Sequence, residues 1–285
     1  MLIDNFGGVR FDGTNATIIG SKQGEFIADR NNIVRVWMDH GAWPYLTTSL
    51  YMQQTGDIEF LNEENTYFKD AQIGRGEHRD NLWSDGEGNM QLSEDDTPYR
   101  GTVLEHLLIQ HLTSFYDVGE HNHIRLRGAD WNDGLDMAEK RGESVAFTAL
   151  YGGNLRDLAK DIMTLSKKTG KDTISLAKEI EVLLNADKTV YDSIDEKHKV
   201  LNAYCNAVGH KVSGEKVSVD CTKLCNVLNE MSSWIADHIR KTEWITNKEG
   251  NSWFNGYYDN SGNAVEGDFL SLIHISEPTR LALIS

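Results

Sequence analysis

Cysteine is scarce. The 285 residues hold three, Cys205, Cys221 and Cys225, an odd number that cannot all pair. Cys221 and Cys225 stand four apart with no histidine cluster nearby, so buried free thiols are expected rather than a disulfide framework or a metal site. No apolar run approaches the roughly 18 residues that a membrane span needs, and Met1-Leu2-Ile3-Asp4 is not a signal peptide. Positive charge is also short. Twenty-eight Lys and Arg against 44 Asp and Glu leave a net charge of −16, which argues against nucleic acid or an anionic membrane as partner. Phosphate stays open, because a few local Arg, His or backbone N–H groups suffice to hold it. There is neither low complexity nor a short fixed repeat. His121 and His123 alternate without a third ligand, so no metal is expected. These absences describe a soluble protein of a reducing compartment, with the cytoplasm as the expected location.

What is present is a core. Hydrophobic residues make up 39% of the chain, with seven Trp and ten Tyr, which excludes disorder. Apolar residues three to four apart predict helices over His40–Gln54, Asp57–Asp70, Gly101–Tyr116, Asp172–Asn185, Tyr191–Tyr204 and Thr222–Lys241. Another runs from Glu143 to Lys168, with Ser144 as N-cap and an interruption at Gly152-Gly153. Residues 1–32 and 71–98 lack periodicity and read as loops. In the second, Arg75, His78 and Arg79 could assist a phosphate, although such charge runs usually face water. Val217 to Asp220 suits a short extended piece, and Trp253 to Asp259 an aromatic turn.

The stretch Arg125 to Val145 organises the rest. At its centre Asp130, Trp131, Asn132 and Asp133 place an aromatic face beside two carboxylates and an amide. Trp stacks on a sugar ring, Asn and Asp bind hydroxyls, and one carboxyl group can protonate a glycosidic oxygen. Gly128 and Gly134 let the backbone turn closely around a ligand. The same residues also suit a tight turn entering a helix N-terminus, with the acids as caps. Asp39 and His40 precede a helix, where they could face a ligand or serve as an N-cap and its neighbour. Glu143 could bond a sugar or favour a helix dipole.

The segment GADWNDGLDM (Gly128 to Met137), followed by Gly142-Glu143-Ser144-Val145, resembles the active-site segment of glycoside hydrolase family 94, the inverting phosphorylases of β-linked glucosides. The flanking HLTSFYDVGEHNHIRLRGADWND is similar to the oligoglucan-type members, and Asp39, His40 and Trp43 match an Asp-His-x-x-Trp pattern of the family. The resemblance runs from about Asn5 to Gly267. It implies an all-α fold, a partial (α/α)6 barrel with long active-site loops over residues 1–267, lacking the family's β-sandwich domain and its phosphate-binding segments. Leu270 to Ser285 does not continue it. That tail looks like a sequencing adapter translated in frame, so residues 268–285 are expected to be non-native.

By the same resemblance Asp133 is the general acid, Trp131 stacks on the ring, and Asp130, Asn132, Asp39, His40 and Glu143 contact sugar. Arg127 and Arg125 steer substrate or brace Asp130. The implied reaction cleaves a β-glucosidic bond with inorganic phosphate as co-substrate and no cofactor, giving an α-sugar 1-phosphate. A phosphorylase needs one carboxylic acid, since phosphate is already nucleophilic and a second carboxylate aimed at it would repel it. Asp130 and Asp133, three apart, are too close to act as a hydrolase pair around a water. An inverting glycosidase with a distant second acid remains an alternative, as does a non-catalytic glycan-binding module. The partners expected are a β-linked oligosaccharide and phosphate, with a homodimer for the whole protein. This chain alone is expected to be inactive.

Overall fold

Four of the six described α-helices start after a capping side chain. The computed structural model describes residues 2–28, 36–127 and 138–265. Helix α1 (Trp43–Thr55) carries Pro44 in its first turn, where no N–H is needed. In α2 (Val103–Tyr116) the Thr102 hydroxyl accepts the Glu105 N–H at 3.1 Å, and all 14 residues are buried. Helix α3 (Val145–Thr169) starts at Ser144, whose hydroxyl accepts the Phe147 N–H at 3.0 Å, as expected. It runs unbroken through Gly152-Gly153. Helix α4 (Glu181–Leu184) is one turn, and α5 (Ile194–Ala207) and α6 (Cys221–Thr242) are capped by Ser193 and Asp220.

The expectation of an all-α fold, and with it the partial (α/α)6 barrel, is overturned. The described residues also form six small sheets. Thr173–Ala177 pairs antiparallel with Lys216–Asp220, and Glu64–Thr66 with Arg100–Thr102. Trp244–Thr246 pairs with Ser252–Phe254. A three-stranded sheet joins Tyr257–Tyr258, Glu143–Ser144 and Ile124–Arg125. None of these strands exceeds five residues, too short for a period of two to stand out against the helical background. Two predicted helices dissolve accordingly. Asp57–Asp70 is a 3-10 turn, Ile58–Asn62, followed by the strand that pairs with Arg100–Thr102. Asp172–Asn185 opens with the strand Thr173–Ala177, and only its second half, the 3-10 turn Lys178–Ile180 and the α turn Glu181–Leu184, is helical. In both, cross-chain pairing overrides local spacing.

The main core gathers α2, α3, α5 and α6, with Leu107, Leu108, Leu158, Ile162 and Leu228 fully buried. The predicted stripe Leu224, Leu228, Met231, Ile235 and Ile239 is the buried face of α6, packed on α3. Each such side chain contributes roughly 1.5–3 kcal/mol by leaving water. A second cluster holds Met38, Ala42, Ile124, Leu126, Ala138, Ala146, Leu150, Tyr151 and Tyr257. It underlies the candidate site. Residues 268–285 lie outside the described residues.

Candidate functional site

Asp130, Trp131, Asn132 and Asp133 lie outside the described residues, but both flanks of their segment are placed. On the N-terminal side Ile124–Arg125 pairs with Glu143–Ser144, and the Leu126 N–H donates to the Gly142 carbonyl at 2.9 Å. On the C-terminal side the Gly142 N–H donates to the Ala138 carbonyl at 2.7 Å. A Cβ on Gly142 would sit 2.2 Å from that same oxygen, so only glycine fits. Leu126 and Ala138 are both buried in the second cluster. The motif therefore springs from a closed neck with an apolar floor.

Beside the neck, Asp117 receives three arginines. Arg75 Nε donates to its carboxylate at 2.6 Å, Arg125 Nε at 2.7 Å and Arg127 Nη2 at 2.8 Å. Burial alone would raise the Asp117 carboxyl. The three guanidinium groups of Arg127, Arg75 and Arg125 instead hold it far below the usual carboxylate range. Glu77 closes the far side, accepting Arg127 Nη1 at 2.8 Å and pairing with Arg125 at 3.1 Å. Arg75 also donates its backbone N–H to Asp12 and its Nη1 to the Thr113 hydroxyl. Both Arg75 and Arg127 adopt positive φ, 53° and 57°, which the ion pairs stabilise against strain. Among the described residues, then, Arg125 and Arg127 brace Asp117 and Glu77, directly before the motif. Arg75, from a run that reads as solvated, is buried here, while His78 and Arg79 stay exposed.

Asp39 and His40 come to the same place. Their 3-10 turn, Met38–Gly41, follows Trp37, which bridges antiparallel to Arg127. The Tyr151 hydroxyl donates to the Met38 carbonyl at 2.6 Å and fixes the turn to α3. Asp39 is buried and accepts the Trp43 indole N–H at 2.8 Å. His40 meets the Trp37 ring edge-on at 4.3 Å.

Glu143 has no exposed surface. Its oxygens accept the backbone N–H groups of His121 and His123 at 2.9 Å, and it pairs with His121 Nδ1 at 2.8 Å. The carboxylate thus fastens the loop ahead of the neck. Glu243, which no spacing pointed to, does the same from α6's end. It bonds His123 Nε2 at 2.9 Å, the Tyr258 hydroxyl at 2.8 Å and the Asn255 amide at 3.0 Å. Burial raises its carboxyl, but the His123 hydrogen bond and charge win, leaving it at about 2. Tyr258 stacks on His121 at 3.7 Å. No group of three or more His, Cys, Asp or Glu that could hold a metal ion occurs among the described residues. No described helix is long and apolar enough to cross a membrane.

The chain matches no family model. It is similar to a solabiose phosphorylase of Paenibacillus borealis, with 26% identity over 157 residues, 53% of this chain. The match covers 17% of that protein's length.

Proposed function

We propose that this chain carries the sugar-binding and proton-donating part of a glycoside phosphorylase acting on β-linked glucosides. The observation that carries the reading is the Asp-Trp-Asn-Asp motif in a chain similar to a named phosphorylase. The closed neck, with Arg127, Asp39 and His40 beside its root, supports it.

In this reading Trp131 stacks on the sugar ring, and Asp130, Asn132, Asp39 and His40 orient its hydroxyls. A phosphate oxygen attacks the anomeric carbon from the face opposite the leaving group. The glycosidic C–O bond breaks, its electron pair leaves with the oxygen, and that oxygen takes the proton of Asp133. The anomeric centre inverts and an α-sugar 1-phosphate results. Phosphate is a substrate, so the only acid the chain must supply is Asp133. The Asp117 cluster keeps the motif's N-terminal flank in place.

Asp133→Asn should abolish phosphorolysis by the whole protein while oligosaccharide binding, read by calorimetry, persists. Full activity in that variant overturns the assignment.

A further inference from the structure

A cleft of about 250 Å³ opens next to the Asp39 turn, bordered by Asn5, Asn15, Phe26, His40, Trp43 and Thr47. Trp43 is 46% exposed, unusual for so large an apolar ring. Yet its indole is fixed, because its N–H is held at 2.8 Å by the buried Asp39 carboxylate. Phe147 supports it edge-on at 6.2 Å. A ring held this way is a platform whose orientation costs nothing further on binding.

Asn15 borders the same cleft. Its loop is rigid: Arg10 donates to the Asn15 carbonyl at 2.6 Å while pairing bidentately with buried Asp70. The Asn15 side-chain oxygen accepts the Gln110 amide at 2.9 Å. Its NH2 group has no hydrogen-bond partner among the described residues. Behind it, the Gln110 oxygen is buried and also without a partner among the described residues. Exchanging O and N in both amides preserves the bond and still leaves one Asn15 polar atom open to the cleft. Among the described residues that line this cleft there is no Asp, Glu, Lys or Arg, and His40 is the one titratable side chain. Neutral amides and a hydroxyl beside a fixed indole suit a molecule with an apolar face rimmed by hydroxyls.

We propose that this cleft is a binding subsite for one ring of a neutral carbohydrate, with Trp43 as stacking platform and Asn15 as oriented hydrogen-bond partner. Its described lining lies beside the root of the motif segment, since the Asp39 turn that anchors Trp43 follows the Trp37–Arg127 bridge. The inference rests on the glycoside reading and extends it to chains longer than the bond being cleaved.

Calorimetric titration of the full chain with cellopentaose and laminaripentaose tests it. Trp43→Ala and Asn15→Ala should each raise Kd about tenfold for at least one of them. Trp43→Phe should cost less, because it keeps a stacking ring while losing the same bond to Asp39. Wild-type affinity in both alanine variants overturns the subsite, as does a wild-type chain that binds neither sugar. Equal losses in Trp43→Phe and Trp43→Ala, with Asn15→Ala unchanged, also overturn it by assigning the effect to the Asp39 anchor. Unchanged variant binding with intact phosphorolysis refutes the subsite alone. Phosphate-independent cleavage with Trp43-dependent binding refutes the phosphorylase reading alone.

Discussion

Glu105 sits in the first turn of α2 with no exposed surface, accepting the Tyr67 hydroxyl at 2.9 Å and the Ala177 N–H at 2.7 Å. Burial pushes its carboxyl from 4.5 up to about 7, against the lowering effect of those hydrogen bonds. A carboxyl group raised on folding supports the native state below its unfolded value, and that support is lost as pH rises through the folded one. Stability should therefore decline between about 4.5 and about 7 through this residue. Glu105→Gln should flatten that part of the curve of urea midpoint against pH. An unchanged slope would show that Glu105 does not titrate there. At this scale little was legible beforehand. Asp117 sits in a plain Tyr-Asp-Val-Gly run, and its partner Arg75 lies 42 residues away in a stretch of charges. Spacing cannot reveal a contact that only tertiary packing makes.

Asp117 also governs an element, the neck. Asp117→Ala would leave three guanidinium groups, one fully and two partly buried, without their carboxylate. The expected cost is about 3–5 kcal/mol in denaturant unfolding, as for breaking a buried ion pair. A loss below about 1 kcal/mol would show that the arginines re-pair with Glu77 and solvent. The helix pair α3–α6 gives a finer contrast. A Cβ on Gly152 would meet Ile235 Cγ2 at 2.9 Å, whereas one on Gly153 would meet nothing within 4 Å. Gly153→Ala should stabilise by about 0.5–1 kcal/mol through helix propensity. Gly152→Ala should destabilise by about 1 kcal/mol or more, because stiff Ile235 must shift. Thermal melts of the two variants check the opposite signs. At the element scale the long helices and the Ser144 cap were readable, since several turns of apolar spacing accumulate signal. The strands were not, because two to five residues held by distant partners leave no periodic trace. That is why the helical expectation overreached at 57–70 and at 172–185.

For the whole molecule, the core holds a neck from which the motif segment springs, and the Asp39 turn and the Asp117 cluster converge on its root. The motif's proposed chemistry came from the family resemblance, since Asp, Trp and Asn in tight succession suit a capped turn as well as a sugar. The setting of its flanks was not legible, because Trp37 and Arg127, and Met38, Leu126 and Ala138, come together only through the folded chain. The central claim is phosphate-dependent cleavage with inversion. The most direct measurement is phosphorus NMR of the whole protein that carries this sequence, incubated with inorganic phosphate and β-glucan oligosaccharides. The account predicts that an α-sugar 1-phosphate signal grows, that it is absent in Asp133→Asn, and that no sugar is released without phosphate. Reducing sugar released equally with and without phosphate, and no sugar phosphate, would contradict it.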